Sequence, residues 1–256
     1  MRITIIGSGN VATHLAAAFK NARHPILQIY SRDLQNASAL AYNVRAEAID
    51  NLDWINPNTD LFVIAVKDDA IEQIASTLAE HQKLMVHTSG ATGLDILLNH
   101  TKKAGVFYPL QTFSKTREVN FKTVPLCIEG ADEHITTQLE ELAHTITQNV
   151  YRISSGKRKT LHLAAVFACN FPNYLYHLAQ QLLKQQQLDF NLLRPLILET
   201  AQKVQDHLPS DVQTGPAIRN DGKTMDAHLL LLQENPGLQQ LYKLLSQGII
   251  KMDNAG

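Results

Sequence analysis

Through roughly the first 150 residues, short apolar runs alternate with segments whose apolar positions recur at helical spacing. Arg2 to Ile6 reads as a strand, and Val11 to Asn21 as a helix carrying Ala12, Leu15, Ala16 and Phe19 on one face. Ile26 to Tyr30 gives a second strand, Leu34 to Tyr42 a second helix, and Val44 to Ala48 a short strand. The nearly unbroken apolar run from Asp60 to Val66 has the pattern of a strand buried on both faces of a parallel sheet. A helix over Asp69 to Glu80 follows, then strands at Leu84 to His87, Gly105 to Phe107, Val124 to Ile128 and Val150 to Ile153, with a helix over Asp132 to Gln148. This alternation predicts an α/β fold built on a doubly wound, mostly parallel sheet.

From Gly156 onward the pattern holds no strand. Thr160 to Gln187 reads as a long helix kinked at Pro172, where proline lacks the N–H that a helix interior needs. Asn191 to Leu208 is a further helix with Pro195 near its first turn, a tolerated position. A polar loop over Pro209 to Gly222 leads into helices at Thr224 to Gln233 and Pro236 to Met252. The change of regime at 153–157 predicts two domains: an α/β domain over 1–154 and an all-helical domain over 155–256.

Charge and cysteine content narrow the function classes. The formal net charge is −1, which argues against a nucleic-acid surface or a polybasic membrane anchor. The basic run Lys157-Arg158-Lys159 reads as a solvated helix start. Cys127 and Cys169 both lie in apolar stretches and read as buried free thiols, a usage suited to a reducing cytosol rather than to disulfides or structural zinc. The histidines lack metal-ligand spacing, so no metal is expected. After Met1-Arg2 the apolar run stops at once in glycine, unlike a signal peptide. No apolar stretch approaches the ~20 residues of a membrane span. A cytoplasmic protein is expected.

The chemistry-bearing motif opens the chain: Gly7-Ser8-Gly9-Asn10-Val11-Ala12, placed between the first strand and the first helix. Gly7 permits a tight turn, Gly9 lets backbone approach a pyrophosphate, and Ala12 keeps helix and strand close. The helix start then presents unpaired amides and a positive dipole end to the anion. At the tip of the second strand a carboxylate would grip the ribose of NAD, whereas an arginine would accept the extra phosphate of NADP. The chain reads Tyr30-Ser31-Arg32-Asp33, so Ser31 and Arg32 favour NADP. The alternative makes Asp33 the ribose ligand, although Asp33 also suits the start of the next helix. Ligands in such sheets bind beyond the carboxyl ends of the strands. That rule adds Val66 and Lys67 after the fourth strand, and His87, Thr88 and Ser89 after the fifth.

The opening glycine motif, Ser31-Arg32, Ala65-Val66-Lys67 and His87-Thr88-Ser89-Gly90 together resemble pyrroline carboxylate reductase and its phosphogluconate-dehydrogenase-like relatives. Phe107-Tyr108-Pro109-Leu110-Gln111-Thr112-Phe113, the segment His162 to Asn170, and Gly215-Pro216-Ala217-Ile218-Arg219-Asn220-Asp221 are similar to a bacterial family of candidate NADP oxidoreductases. That family pairs a Rossmann-like domain with a helical C-terminal domain of unassigned function. The resemblance implies an NADP cofactor, a small-molecule substrate held between the domains, and a homodimer formed through the helical domain. In the hydroxyacid dehydrogenase branch a lysine stands four residues before a catalytic asparagine. Asn170 matches the asparagine, but Val166 occupies the lysine position.

His162 lies two turns before Asn170, rotated by roughly 80° on an ideal helix, so both can face one cleft. A histidine has suitable acidity to protonate a carbonyl or imine as hydride arrives. Ser89, His162 and Asn170 are therefore the catalytic candidates. Asn170, flanked by apolar residues, is expected to need a buried partner. Arg219, Asp221, Asp226 and His228 form either a substrate-facing loop or a surface cluster. Together these features point to an NADP-dependent oxidoreductase acting on a small carbonyl or imine compound. A dinucleotide-binding regulator without turnover is the alternative.

Overall fold

The computed structural model describes residues 1–253. The chain alternates β1 (Ile3–Ile6), α1 (Asn10–Asn21), β2 (Ile26–Tyr30), α2 (Leu34–Val44), β3 (Glu47–Ile49), β4 (Leu61–Ile64), α3 (Ile71–Leu78), β5 (Leu84–His87), the short α4 (Asp95–Leu98) and β6 (Ala104–Pro109). Then come β7 (Leu126–Gly130), α5 (Glu133–His144) and β8 (Val150–Arg152). The strands form one sheet in the order β3-β2-β1-β4-β5-β6-β7-β8. The first six are parallel, in the arrangement of doubly wound dinucleotide-binding folds. β7 pairs antiparallel to β6, and β8 runs parallel to β7. The strand expected at 124–128 is shifted to Leu126–Gly130, and that at 44–48 to Glu47–Ile49, because α2 continues to Val44.

Every residue of β1, β4 and β5 is buried, as their unbroken apolar runs require of a sheet covered on both faces. Alternation then divides their side chains between two cores. Ile3, Ile5, Leu61, Val63, Val86 and Phe107 pack with residues of α1, α2 and α5 on one face. Ile6, Phe62, Ile64, Met85, Val106 and Tyr108 pack with residues of α3 and α4 on the other. Leu161 of the following helix also packs on that second core.

Beyond the sheet lie α6 (Ser155–Ala165), a π-helical segment over Val166–Asn170, and α7 (Phe171–Gln185). The kink expected at Pro172 takes the form of this π segment, which widens the turn just ahead of the proline's missing donor. The last helices are α8 (Arg194–Asp206), α9 (Gly222–Leu231) and α10 (Pro236–Asp253). Pro195 sits in the first turn of α8, and Asp221 caps α9 by accepting from the Thr224 amide and hydroxyl. Two compact units result, Met1–Leu175 and the helical part from Tyr176 onward. The division falls within α7, well past the change of pattern at 153–157. Among the described residues no helix is long and apolar enough to cross a membrane. Of the two thiols, Cys127 is buried as expected, whereas Cys169 is only half-buried.

At the start of the sheet, Arg2 and Asp60 form an ion pair at 2.7 Å that ties the approach to β1 to that of β4. The hydrogen bonds from Arg2 hold the Asp60 carboxyl down at about 2, below its ordinary 3.8. A depressed carboxyl contributes stability above its unfolded value and loses it as pH falls through the folded value. Because both side chains are partly exposed, the contribution is small. Asp60→Asn should therefore lower the urea midpoint slightly at pH 7. That difference should narrow as pH drops from about 4 toward 2. Equal differences at pH 7 and pH 2 would contradict this assignment.

Candidate functional site

The turn between β1 and α1 is set by backbone rather than by side chains. Gly7 has φ of 125°, a conformation favourable to glycine, and a Cβ there would come within 2.2 Å of the Ala65 carbonyl oxygen. Gly9 is the N-cap of α1; it offers no side-chain cap, and the first turn carries no acid. A Cβ at Gly9 would meet nothing within 4 Å. The helix start thus faces open space with free amides, the surroundings an anion needs. The Ser8 hydroxyl donates to Ser31 Oγ at 3.1 Å, joining this turn to the tip of β2. Beside it, Arg32 is exposed and makes no ion pair among the described residues. Asp33 is occupied as the N-cap of α2, accepting from the Gln35 amide at 2.9 Å.

These groups line one wall of a cleft of about 970 Å³ that lies wholly within the sheet-bearing unit. Its lining includes Gly7, Ser8, Gly9, Asn10 and Val11 of the turn, Ser31 and Arg32, and Val66 and Lys67 after β4. Thr88, Ser89 and Gly90 after β5, Tyr108 on β6 and His162 on α6 form the other wall. Three expected site residues do not line it. Ala12 is fully buried, packing α1 on the sheet. His87 is fully buried behind the wall, where its Nδ1 accepts from the Ser89 amide and its Nε2 bonds the Gly93 carbonyl, each at 3.2 Å. Burial, reinforced by the Arg158 cation, lowers His87 to about 4, so its ring stays neutral and acts as a brace for the loop. Asn170 lies exposed at the end of the π segment. The apolar neighbours expected to enclose it, Phe167 and Phe171, are themselves exposed.

Two further residues carry functional geometry that the sequence reading did not single out. Tyr108 Oη and His162 Nδ1 lie 3.0 Å apart, with the rings edge to face. Ser89 is committed locally: its hydroxyl donates to Thr92 Oγ1 at 3.0 Å and accepts from the Ala91 and Thr92 amides. The second residue is Arg158, expected to be solvated but in fact fully buried. Its Nη1 reaches Glu129 Oε2 at 2.6 Å, and its Nη2 donates to the Thr92 carbonyl at 2.6 Å and to Ser155 Oγ. Ser155 in turn donates to Glu129 and accepts from the Leu94 amide. Burial alone would raise the Glu129 carboxyl, but hydrogen bonds from Ser155 and Arg158 outweigh it and hold it below the usual range. The network clamps the start of α6 to β7 and to the 88–94 loop.

Removing one partner of a buried pair leaves the other charge uncompensated, at a cost of about 3–5 kcal/mol. Glu129 keeps some exposure, which places Arg158→Met at the lower end, about 3 kcal/mol in denaturant unfolding. The double variant Arg158→Met with Glu129→Gln should recover part of that loss. A single-variant loss below about 1 kcal/mol, the range of an exposed pair, would overturn this account.

Residues 2–90 match the family model described as NADP oxidoreductase, coenzyme F420-dependent, and residues 124–249 match a domain of unknown function (DUF2520). A candidate NADP oxidoreductase from Bacteroides fragilis is 43% identical, with 98% of each chain covered and a TM-score of 0.93. An imine reductase from Myxococcus stipitatus, solved in complex with NADP+, shares the fold at 16% identity, with 100% of this chain and 95% of that one covered and a TM-score of 0.68. A pyrroline-5-carboxylate reductase from Coxiella burnetii does so at 16% identity, covering 99% and 97%, with a TM-score of 0.60. No curated protein matches the chain. The glycine turn, the strand order and these matches agree, and the chain belongs to the NADP oxidoreductase family of the Bacteroides fragilis protein.

Proposed function

We propose that this protein is an NADP-dependent reductase of a small carbonyl or imine compound. The observation that carries the reading is the single cleft that brings the glycine turn and Ser31-Arg32 opposite Ser89, Tyr108 and His162. The free amides at the start of α1 suit the pyrophosphate, and the Ser31 hydroxyl with the unpaired Arg32 guanidinium suits the additional ribose phosphate. Val66 and Lys67 continue the same wall, and Thr88 belongs to the other. When bound, NADPH supplies the hydride; the chain's own residues hold the substrate and move its proton. Ser89, braced by His87, shapes the loop against which the substrate rests. Asn170 is given no role in this cleft, since it lies outside the lining. Structural likeness to an imine reductase bound to NADP+ supports a C=N or C=O substrate class. Two free thiols suit a cytoplasmic site of action.

Thermal unfolding with NADPH, NADH or neither tests the cofactor assignment. Cofactor at ~100 times its dissociation constant should stabilise by about 2.7 kcal/mol. Arg32→Ala should weaken NADPH by tenfold or more, as expected for a lost charge-assisted bond of about 1.5–3 kcal/mol, and leave NADH nearly unchanged. No stabilisation by either cofactor would sink the reading, and equal losses for both would show that Arg32 does not meet the phosphate.

In the helical unit Leu192, Leu196, Leu208, Leu230, Leu231 and Leu244 are each more than 60% exposed, and such apolar exposure favours a partner. We propose that a second copy covers it. Light scattering on the eluted protein should give the mass of two chains, and a single-chain mass at micromolar concentration would exclude the dimer.

A further inference from the structure

We propose that Tyr108 and His162 form one proton-delivery pair, in which the Tyr108 hydroxyl protonates the substrate heteroatom and His162 Nδ1 restores the proton to Tyr108 Oη. The inference deepens the reductase reading and rests on it. As the carbon of a C=O or C=N bond accepts hydride, its π pair moves onto the heteroatom, which takes the Tyr108 proton. Tyr108 Oη then takes the proton of His162 Nδ1 as solvent protonates the ring at Nε2, and exchange of that proton with solvent restores the Nδ1–H tautomer before the next turnover. The phenol and the imidazole both end uncharged, and the net uptake is one hydride and one proton.

Three observations support this assignment over the other hydroxyls and the second imidazole on the same side of the cleft. Those groups are occupied: the Ser89 hydroxyl serves its own turn, the Thr88 hydroxyl lies 3.4 Å from the Ile64 carbonyl, and His87 is sealed behind the wall. Tyr108 instead lines the cleft and has another proton carrier as its partner, at 3.0 Å. An imidazole both accepts and donates near neutral pH, which a fixed acceptor cannot do.

The second observation is Gly90. A Cβ there would lie 2.6 Å from His162 Nδ1 and 2.8 Å from Tyr108 Cζ. The loop backbone closes directly over the hydrogen bond, and only glycine leaves room for it.

The third is rigidity. Tyr108 is fixed on β6, and His162 stands one helical turn beyond Arg158, whose clamp to Glu129 and Thr92 sets the position of α6. The electrostatics agree with a coupled rather than a solitary donor. Burial, with a smaller contribution from Cys127 on β7 and opposed by Arg158 on α6, pushes the Tyr108 phenol up to about 12. Such a phenol holds its proton at neutral pH, and losing it without replacement would leave a phenolate in a poorly hydrated place.

The test uses the full-length protein, with Tyr108→Phe, His162→Gln and the double variant, each checked for an unchanged NADPH melting shift. With histidine labelled in ¹⁵N, the wild-type spectrum should show His162 with a hydrogen-bonded proton on Nδ1, and this signal should shift in Tyr108→Phe. NADPH oxidation is followed with 2-methyl-1-pyrroline and with pyruvate as probes. Each single variant should slow turnover about 10²–10⁴-fold, the usual contribution of a general acid. The double variant should be no slower than the worse single one, as for residues acting as a unit. An unprotonated Nδ1, an unchanged ring spectrum in Tyr108→Phe, or single-variant losses that multiply in the double variant would overturn the pair. If the wild type reduces neither probe, the substrate reading fails, while the ring spectrum still decides whether the pair exists.

Discussion

Arg158 brings a full positive charge into a position with no exposed surface, and the second wall of the cleft depends on how that charge is neutralised. A buried ion without partners would cost several kcal/mol. Here Glu129, the Thr92 carbonyl and Ser155 supply them, and they come from three separate stretches of chain. Their mutual attraction fixes β7, α6 and the loop after β5 as one piece. Much of that wall hangs from this piece: Ser89 and Gly90 on the loop, and His162 one turn along the helix. The charge therefore acts as a locating pin, and its value lies in position as much as in net stability.

The two walls were unequally legible in the sequence. The fold around the glycine turn could be read because its elements are local. An apolar strand, a glycine turn and a helix stand within about twenty residues, and their order alone dictates the geometry. Parallel strands such as β4, buried on both faces, announce themselves by unbroken apolar runs. The other wall is assembled from distant residues, and there local pattern misled. Arg158 sits in a basic run that looks solvated, and only Glu129, 29 residues earlier, makes its burial possible. Tyr108 and His162 are 54 residues apart, and nothing in either neighbourhood names the other. Asn170 was expected to be enclosed because its neighbours are apolar, but those neighbours lie on an exposed face. The domain boundary was read from where strands cease, whereas compactness extends the first unit into α7.

The reversal of β7 and β8 carries a further meaning. Their direction takes the chain off the sheet at the end away from the cleft, so that α6 starts beside Glu129, which pairs with Val106, and ends its second turn beside Tyr108, farther along β6. Parallel strands in their place would have delivered the helix at the cleft, running outward. The cost of the reversal is that the helix bearing His162 is anchored through the edge of the sheet, where β8 is three residues long and its Tyr151 and Arg152 are exposed. The glycine turn, by contrast, is anchored inside the sheet, on β1 between β2 and β4. Because core strands open less readily than peripheral ones, the two walls should differ in their protection from hydrogen exchange. A molecule whose outer strands have loosened can keep its glycine turn in place while the hydrogen bond between Tyr108 and His162 comes apart.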